Sequence, residues 1–589
     1  MTKHYAGGYF LNNEPIVRGF GPNAHTAADL SQISNYAVEA LNAIQETPWR
    51  VNLFILDTVL AFQKRGKDLG FTGRNGFETV LKIARPDNPK NDPKNPVNRR
   101  LTEEEWACLD RDGKQRIKKE TAREYKRYEE ELGVWRATAR IVKLADEMSQ
   151  FDRFYFPHNM DFRTRIYPIP NDLTPQSNDL SKGLLRFARG TRLGEAGVFW
   201  LGVSVASHWG EDKLSMADRF AFASEPEFFE QCMQWVRDPM TNQGWLKADK
   251  PFQFLAAAHE WVTAQGLPDG PEAFVSYLPG NLDGSCNGAQ HLSIMARDMV
   301  GAEATNCCDR DTRFDLYMSV ADRVWGQVQT DAEKGLDVAV EWVPRLLSAS
   351  DRRTVVKRAV MTVPYGVTEY GVAGFMEKDG HVDGMDNEWD AARYMRDLIM
   401  ASIDSTLSNG RALQRWFQAC AVRCAEAGMP LTWDTPAGSK VTQAYRNVVQ
   451  NRVLSYDTRF YLYAEPEEYE TKEEFHNRIG MDVRKMGSSA PPNVVHSCDA
   501  SHLQITTVRM ADAGIRDFSM IHDSFGCPMA YVGLMRDILR QTAVDMYSGD
   551  YLQIWKESVE RYSGLVMPEP PEVGDFNVFE ILGSEYFFS

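Results

Sequence analysis

The chain has little cysteine, and its cysteines form no pattern typical of a disulfide framework or a metal site. Nine cysteines are scattered over 589 residues, and no two of them form a CxxC pair. Only Cys420 and Cys424 share the i, i+4 spacing of one helix face, and no histidine lies near them. Because such a set is typical of reduced thiols inside cells, we expect neither structural disulfides nor a zinc site.

Long hydrophobic runs and common phosphate-binding loops are also absent. The N-terminus, MTKHYAGGYF, lacks the apolar core of a signal peptide. No run approaches the roughly 18 apolar residues that span a bilayer. No GxxxxGK[ST] segment occurs, so a P-loop does not explain any phosphate binding. We therefore predict a cytoplasmic chain without membrane association.

The net charge excludes a uniformly basic nucleic-acid binder. Lys and Arg number 66 against 82 Asp and Glu, which gives 66 − 82 = −16. Residues 111–127 nevertheless carry eight basic and three acidic side chains, a local charge of 8 − 3 = +5. This segment is either a solvated helix face or a surface that follows phosphates. In the second case it would line one cleft together with the other candidate cations.

Apolar periodicity predicts an α+β chain that is mostly helical. Segments rich in proline or aromatic residues interrupt the helices. We predict helices within 30–63 (broken at Pro48), 101–150, 195–265, 313–330 and 350–430, short strands and turns over 151–190, an extended run at 274–279, a loop over 84–100 and a hairpin over 517–530.

Two carboxylates stand beside tight turns at the ends of predicted strands. Asp283 lies in LDGSCNGAQH, directly after the extended run and before Gly284 and Gly288. Asp523 lies in IHDSFG, where the predicted hairpin turns. Small neighbouring residues allow a ligand to approach such a carboxylate closely, which suits a metal site. Each segment, taken alone, is also compatible with a plain turn.

A third segment, DRRTVVKRAVMTVPYG (351–366), places polar side chains on one helix face. Arg353, Lys357, Met361 and Tyr365 follow one another at intervals of four residues. Two fixed cations on one face suit a polyphosphate, and the tyrosine suits a base or a sugar. An exposed basic helix is the alternative interpretation.

In this order, the three segments resemble the motifs of the single-subunit DNA-dependent RNA polymerases of bacteriophages and mitochondria. NMDFRTRIYP (159–168), TPQSNDLSKGLL (174–185), NVVHSCDASHL (493–503) and the C-terminal FNVFEILGSEYFFS extend the resemblance to nearly the whole chain. It implies a right-hand polymerase fold of thumb, palm and fingers, with an antiparallel palm sheet carrying the aspartates. The implied parts are an N-terminal remnant and thumb helices (1–150), the first part of the palm (151–312), the fingers (313–496), and the rest of the palm with a C-terminal foot (497–589).

The resemblance also implies an activity and its cofactor. The chain would synthesise RNA on a DNA template from ribonucleoside triphosphates and bind the nascent RNA, in a phage-infected bacterial cell or an organelle. Asp283, Asp523 and the carbonyl of Gly284 would hold two magnesium ions. Paired cations of this kind activate the attacking oxygen and stabilise the leaving pyrophosphate.

By the same resemblance, further residues would contact the nucleotide and the nucleic acid. Arg353 and Lys357 would bind the triphosphate, and Lys357 would protonate pyrophosphate. Tyr365 and His496 would select ribose, with Tyr317 also near the nucleotide. Nucleic-acid contacts are implied for Arg163, Arg165, Lys182 and Arg358. A structural salt bridge is the alternative for Arg165.

Departures from the family pattern qualify these expectations. The family's long N-terminal domain is missing, so we expect initiation to need a partner protein or melted DNA, unless the chain is a piece of a longer protein. Pro364 precedes Tyr365 and removes a backbone donor. Thr164 stands where the family has glycine.

Residues 444–482 correspond in position to the family's promoter-reading hairpin. Arg446, Gln450, Asn451, Arg452 and Arg459 have side chains that can read base edges. Acidic residues follow at Glu465, Glu467, Glu468 and Glu470. Because acids repel phosphates, we expect the tip to face away from DNA or to contact a basic partner.

Two other functions compete with RNA synthesis. A family A DNA polymerase shares the KxxxxxxxYG helix, but those enzymes usually carry HDE and DYSQIE where this chain has HDSFG and DGSCNGAQH. A non-catalytic DNA-binding initiation factor is the second alternative. The intact pair of aspartates and the intact Lys357–Tyr365 pair argue against it.

Overall fold

A computed structural model describes residues 6–7, 14–18, 32–65, 103–447, 450–455, 458–463, 467 and 469–589. The predicted loop at 84–100 lies outside these residues. Helices account for 62% of the structure, and the sheets are small and antiparallel. The predicted α+β, mostly helical fold class is therefore confirmed.

The helices, in chain order, are α1 (Asn35–Gln45), α2 (Leu53–Arg65), α3 (Glu103–Cys108), α4 (Arg111–Met148), α5 (Asp179–Leu184), α6 (Gly194–Trp209), α7 (Met216–Ser224), α8 (Pro226–Arg237), α9 (Pro251–Gln265), α10 (Asn287–Met295), α11 (Met299–Ala304), α12 (Leu316–Glu333), α13 (Asp337–Trp342), α14 (Ala349–Thr362), α15 (Glu369–Lys378), α16 (Glu388–Thr406), α17 (Ser408–Glu426), α18 (Lys472–Ile479), α19 (Val483–Asp512), α20 (Val532–Tyr547) and α21 (Tyr551–Ser563).

The strands pair two by two in the described part of the chain. They are β1 (Ala6–Gly7) with β2 (Glu14–Pro15), β3 (Trp49–Val51) with β6 (Leu185–Phe187), β4 (His158–Met160) with β5 (Ile166–Pro168), β7 (Thr191–Arg192) with β8 (Val275–Ser276), β9 (Pro279–Asp283) with β14 (Ser524–Pro528), β10 (Leu431–Asp434) with β11 (Lys440–Gln443), and β12 (Gln450–Ser455) with β13 (Thr458–Tyr463).

The predicted helical segments are confirmed, with one strand that the periodicity did not reveal. Residues 30–63 contain α1 and α2, and the break at Pro48 holds the short strand β3 between them. Trp49 is only 3% exposed and pairs with Phe187 of β6. A strand of three residues has too few alternating apolar and polar positions to be recognised between two helical patterns.

The pair of β9 and β14 brings the two predicted carboxylates together. Asp283 is the register partner of Ser524, and Pro279 is the partner of Pro528. The predicted hairpin over 517–530 forms only in part: a bridge between Ile521 and Ser524 closes a tight turn before β14, but residues 517–520 form no strand and β14 pairs with β9 instead. The side chains around this strand pair are closely packed: a Cβ on Gly526 would lie 2.1 Å from Oδ1 of Asn281. The same Cβ would lie 2.9 Å from the carbonyl oxygen of Ser519, so a larger residue at position 526 would have to displace the backbone that leads into the turn.

Two hydrophobic cores divide the described chain. One is built almost wholly from α12–α16 and their connections, between Leu316 and Leu407. The other contains β9, β14, α17, α19 and most of the remaining helices. The domain boundaries remain predictions; the first core corresponds to part of the predicted fingers, whereas α17 packs with the larger core.

No helix in the described ranges is long and apolar enough to cross a bilayer. All nine cysteines are unpaired thiols, and most of them are buried.

Candidate active site

The two aspartates lie at the adjoining ends of β9 and β14. The backbone N–H of Gly284 donates to the carbonyl of Asp523 at 3.0 Å, which fixes the two turns against each other. The carbonyl of Gly284 accepts from Cys286 N at 3.1 Å and has a second lone pair left. Both carboxylates face solvent. The sequence separates these groups by 240 positions, and the strand pairing joins them.

The electrostatics of the pair favour a cation. Asp523 reaches solvent, yet protein surrounds it on its other sides. Burial and the neighbouring carboxylates of Asp499 and Asp283 raise the pKa of Asp523 to about 6. A bound positive ion stabilises neighbouring carboxylates that would otherwise repel each other. Oxygen donors are the ligands that Mg²⁺ prefers, and it needs only one or two carboxylates when phosphates and water complete its shell.

No cluster of three or more His, Cys, Asp or Glu suited to a metal occurs in the ranges that the structure describes. The candidate donors at this site are the two carboxylates and, as the resemblance implies, the Gly284 carbonyl. A set of this kind fits a magnesium ion that also binds substrate phosphates, and it does not fit a zinc ion, which is held by four protein ligands in structural sites.

Two lysines lie near Asp283. Nζ of Lys250 is 3.7 Å from Oδ2 of Asp283. Lys182 is half-buried, and burial lowers its pKa although Asp283 and Asp523 oppose this shift. Both lysines line a cavity of about 140 Å³ beside β9. Lys182 was predicted from the sequence, whereas Lys250 was not. The one feature that marks Lys250 in the sequence is its place directly before Pro251, the first residue of α9.

The face of α14 is only partly as predicted. Arg353 donates from Nε to Oδ2 of Asp315 at 3.0 Å, and its guanidinium carbon lies 5.0 Å from the ring centroid of Tyr317. Lys357, one turn further on, is exposed. Asp315 was not predicted; it is the N-cap of α12 and also lies 3.9 Å from Lys213.

Arg358 turns away from this face. It donates to Oδ1 of Asp379 at 2.5 Å and stacks 4.2 Å from the ring centroid of Phe375. The next residue on a helix lies about 100° further round, so Lys357 and Arg358 point in different directions. The structure therefore does not bring Arg358 together with Arg353, and its nucleic-acid contact remains a prediction.

Tyr365, in the turn that follows α14, and His496 of α19 come together. Their ring centroids are 4.6 Å apart. Nη1 of Arg163 lies 2.5 Å from Nδ1 of His496. Because a guanidinium has no acceptor, Nδ1 must accept and the ring proton must sit on Nε2. Burial, with the charges of Arg165 and Arg163, lowers the pKa of His496 and keeps the ring neutral. His496 can therefore offer one N–H donor beside Tyr365.

Arg165 forms a buried ion pair, the alternative left open by the sequence. Its guanidinium donates through Nε and Nη2 to both oxygens of Asp499, with the Nε bond at 2.9 Å. The Asp499 side chain is only 1% exposed. Asp499 was not predicted as a site residue, although it lies three residues after His496 in the quoted segment. The preceding Thr164 has φ 70°, the left-handed conformation that glycine adopts without strain.

The basic segment 111–127 meets acidic side chains of the predicted fingers. Lys119 pairs with Glu388 at 2.8 Å, and Arg123 pairs with Asp383 at 2.9 Å. Arg127 pairs with Glu131 within α4 at 3.0 Å. Several of its charges are thus already matched by acids, and the expectation that it lines a cleft with the other cations remains untested.

The candidate promoter-reading segment contains the antiparallel hairpin of β12 and β13, with Gln450 paired to Tyr463. The side chains of Gln450, Asn451, Arg452 and Arg459 lie outside the described part, as do Glu465 and Glu468. At its base, Arg478 donates to both oxygens of Glu470 at 2.8 Å. This bond lowers the pKa of Glu470 to about 2.

Gly288 provides the space that Tyr365 occupies. A Cβ at Gly288 would lie 2.5 Å from Cζ and 2.8 Å from the hydroxyl of Tyr365. We expect Gly288→Ala to displace the Tyr365 ring from His496 and to lower nucleotide incorporation about tenfold or more, since misplacing a substrate-positioning group by about 1 Å is costly. Single-nucleotide extension assays measure this. Gly374→Ala is the control, because nothing lies within 4 Å of a Cβ there. Equal activity of the two variants would contradict this role of Gly288.

Comparisons with known proteins agree over most of the chain. A family model described as DNA-dependent RNA polymerase matches residues 191–564. DNA-directed RNA polymerase 3, chloroplastic, from Nicotiana sylvestris is 32% identical over 598 residues, 99% of this chain and 57% of that protein. DNA-directed RNA polymerase 1, mitochondrial, from Arabidopsis thaliana is 30% identical over 561 residues, 94% of this chain and 54% of that protein.

The chain spans about half the length of the curated relatives it matches. Among solved structures, the POL domain of Pol1 from M. smegmatis, in complex with DNA primer-template and dNTP, aligns with 87% of this chain and 67% of its own at 14% identity and a TM-score of 0.39. The family match covers more than half of the sequence and includes Asp283, Lys357, Tyr365 and Asp523. The chain therefore belongs to the DNA-dependent RNA polymerase family.

Proposed function

We propose that this chain catalyses DNA-templated RNA synthesis by two-metal nucleotidyl transfer. The observation that carries the proposal is the pairing of β9 and β14, which joins Asp283 and Asp523 at one end. The family match supplies the reaction class, and the hard oxygen donors at the strand ends suit the metal that this reaction needs.

In this proposal, Asp283, Asp523 and the Gly284 carbonyl hold two Mg²⁺ ions. When bound, such ions lower the pKa of the attacking 3′-hydroxyl and stabilise the charge on the transferred phosphoryl group and on pyrophosphate. The aspartates orient these ions, and the hydrogen bond from Gly284 N to Asp523 O keeps the two donor turns in register. Lys182 and Lys250 add positive charge near Asp283.

The triphosphate is assigned to the α14 face. Arg353 is oriented by Asp315 and by the Tyr317 ring, so its guanidinium is held in place before substrate arrives. Lys357 is the exposed cation one turn away, and we assign it proton donation to the leaving pyrophosphate. Tyr365 and the Nε2–H of His496 would contact the ribose 2′-hydroxyl. A polar group that loses its buried partner costs about 1–3 kcal/mol, enough to disfavour deoxyribose.

We further propose that initiation of transcription needs melted DNA or a partner protein. The relatives carry sequence beyond the matched half, and their names place them in mitochondria and chloroplasts. We therefore propose an organelle, as an alternative to the bacterial cytoplasm, as the compartment of this chain.

The decisive experiment is extension of an RNA primer on a pre-assembled RNA–DNA scaffold, run beside a linear duplex promoter template. We expect Mg²⁺-dependent extension with ribonucleotides on the scaffold and weak initiation on the duplex. A preference for deoxynucleotides would identify a DNA polymerase instead. Scaffold binding without any extension would identify a non-catalytic factor, and strong initiation on the duplex would remove the need for a partner.

A further inference from the structure

Tyr365 lies in a turn where the backbone departs from the α-helix before it. α14 ends at Thr362, and Val363–Tyr365 continue as a single 3₁₀ turn. Pro364 has no N–H and its ring opposes a continued α-helix. Gly366 then reverses the chain with φ 79°. Val363 and Pro364 are buried, so their carbonyls need partners inside the protein.

Within the turn, the Val363 carbonyl accepts from the backbone N–H of Gly366 at 2.9 Å. Gln414 of α17 gives that carbonyl a second donor and gives the Pro364 carbonyl its donor. Its side chain is 2% exposed, and its amide Nε2 donates to the carbonyls of Val363 at 3.1 Å and Pro364 at 2.6 Å. Its Oε1 accepts from Nη1 of Arg411 at 2.7 Å, and Arg411 is held in turn by Asp404 at 2.7 Å. The reversed amide would set oxygen against two carbonyls and nitrogen against a guanidinium, so only one orientation is compatible with these neighbours.

The same turn is confined from two other sides. The Tyr365 ring fills the space left by Gly288, and a Cβ on Gly366 would lie 3.3 Å from both Pro492 Cδ and Ser488 O of α19. Small errors in the backbone of Val363 and Pro364 would therefore move the Tyr365 ring relative to His496. Gln414 is the side chain that fixes that backbone from the α17 side.

We infer that Gln414 is a positioning residue for Tyr365 and that it thereby sets the selection of ribose over deoxyribose. This inference rests on the proposed function of the site. Gln414 touches no substrate; it acts by holding two carbonyls of the turn. Met361 and Tyr365 share a helix face in the sequence pattern, yet nothing in that pattern connects Tyr365 to position 414.

Gln414→Met tests the inference, because methionine fills a similar volume and donates no hydrogen bond. We expect the ratio of ribonucleotide to deoxyribonucleotide kcat/KM on the RNA–DNA scaffold to fall about tenfold, because the buried Pro364 carbonyl loses its donor while the Val363 carbonyl keeps the one from Gly366. Trp416→Phe is the matched control. It removes a bond of the same kind on the same helix, from Nε1 to the carbonyl of Pro568 at 2.9 Å, away from Tyr365. We expect that control to leave the ratio unchanged.

A double-mutant cycle with Tyr365→Phe separates positioning from a general packing defect. If Gln414 acts through Tyr365, Gln414→Met adds little to the loss of selection in the Tyr365→Phe background. Additive losses, or an unchanged ratio in the single variant, would overturn the inference. Should Gln414→Met fail to fold, Arg411→Met removes the bond to Oε1 together with the ion pair to Asp404, leaves both Nε2 bonds in place, and should lower selection in the same direction. An unchanged ratio in Arg411→Met would then count against the inference. Wild-type protein that extends no primer would instead refute the proposed function.

Discussion

Replacing Asp523 by asparagine is expected to lower nucleotide addition by about a thousandfold, because one of the two carboxylates that would hold the metal pair is lost. The fold should not suffer. Asp523 lies beside the carboxylates of Asp283 and Asp499, which raise its pKa together with burial. A neutral amide relieves this repulsion, so the melting temperature should stay the same or rise. Scaffold extension and thermal unfolding measure the two quantities separately.

Asp537→Asn is the control for this prediction. Asp537 is an exposed carboxylate of α20 that pairs at 3.3 Å with Arg540, three residues further along the same helix. We expect the same change there to leave both the rate of scaffold extension and the melting temperature close to those of the wild type. Asp283→Asn should reproduce the loss at Asp523. Appreciable RNA synthesis by either active-site variant would refute the two-metal assignment.

Replacing Arg165 by methionine is expected to destabilise the protein by about 3–5 kcal/mol, since it leaves the charge of a buried aspartate without a partner. The Asp499 side chain is 1% exposed and both of its oxygens accept from Arg165. Adding Asp499→Asn removes that charge and should restore most of the lost stability. Urea unfolding of the single and double variants measures both effects.

Arg561→Met is the matched control for the buried pair. Arg561 pairs with Asp434 at the surface, where the two side chains are 60% and 33% exposed. An exposed pair contributes about 0–1 kcal/mol, so this variant should unfold near the wild type. If Arg165→Met is no less stable than Arg561→Met but binds the RNA–DNA scaffold weakly, Arg165 is a nucleic-acid contact and the structural interpretation is wrong.

The candidate site divides into parts that local patterns could and could not predict. The i, i+4 spacing placed Arg353 and Lys357 on one helix face, because a helix repeats every 3.6 residues. The same spacing could not reveal that Arg358 pairs with Asp379 or that Arg353 is held by Asp315, since those partners come from other elements. Lys250 was missed because no local pattern links position 250 to Asp283.

The sequence by itself determined the helical class, the order of its motifs and the membership of a polymerase family. Those properties depend on apolar periodicity and on short runs of residues, which are local. Only the tertiary structure decided which groups meet: Asp283 with Asp523, Arg165 with Asp499, Gln414 with the Tyr365 turn. Contacts between residues tens to hundreds of positions apart depend on strand register and on the packing of helices, and both are set by the whole core.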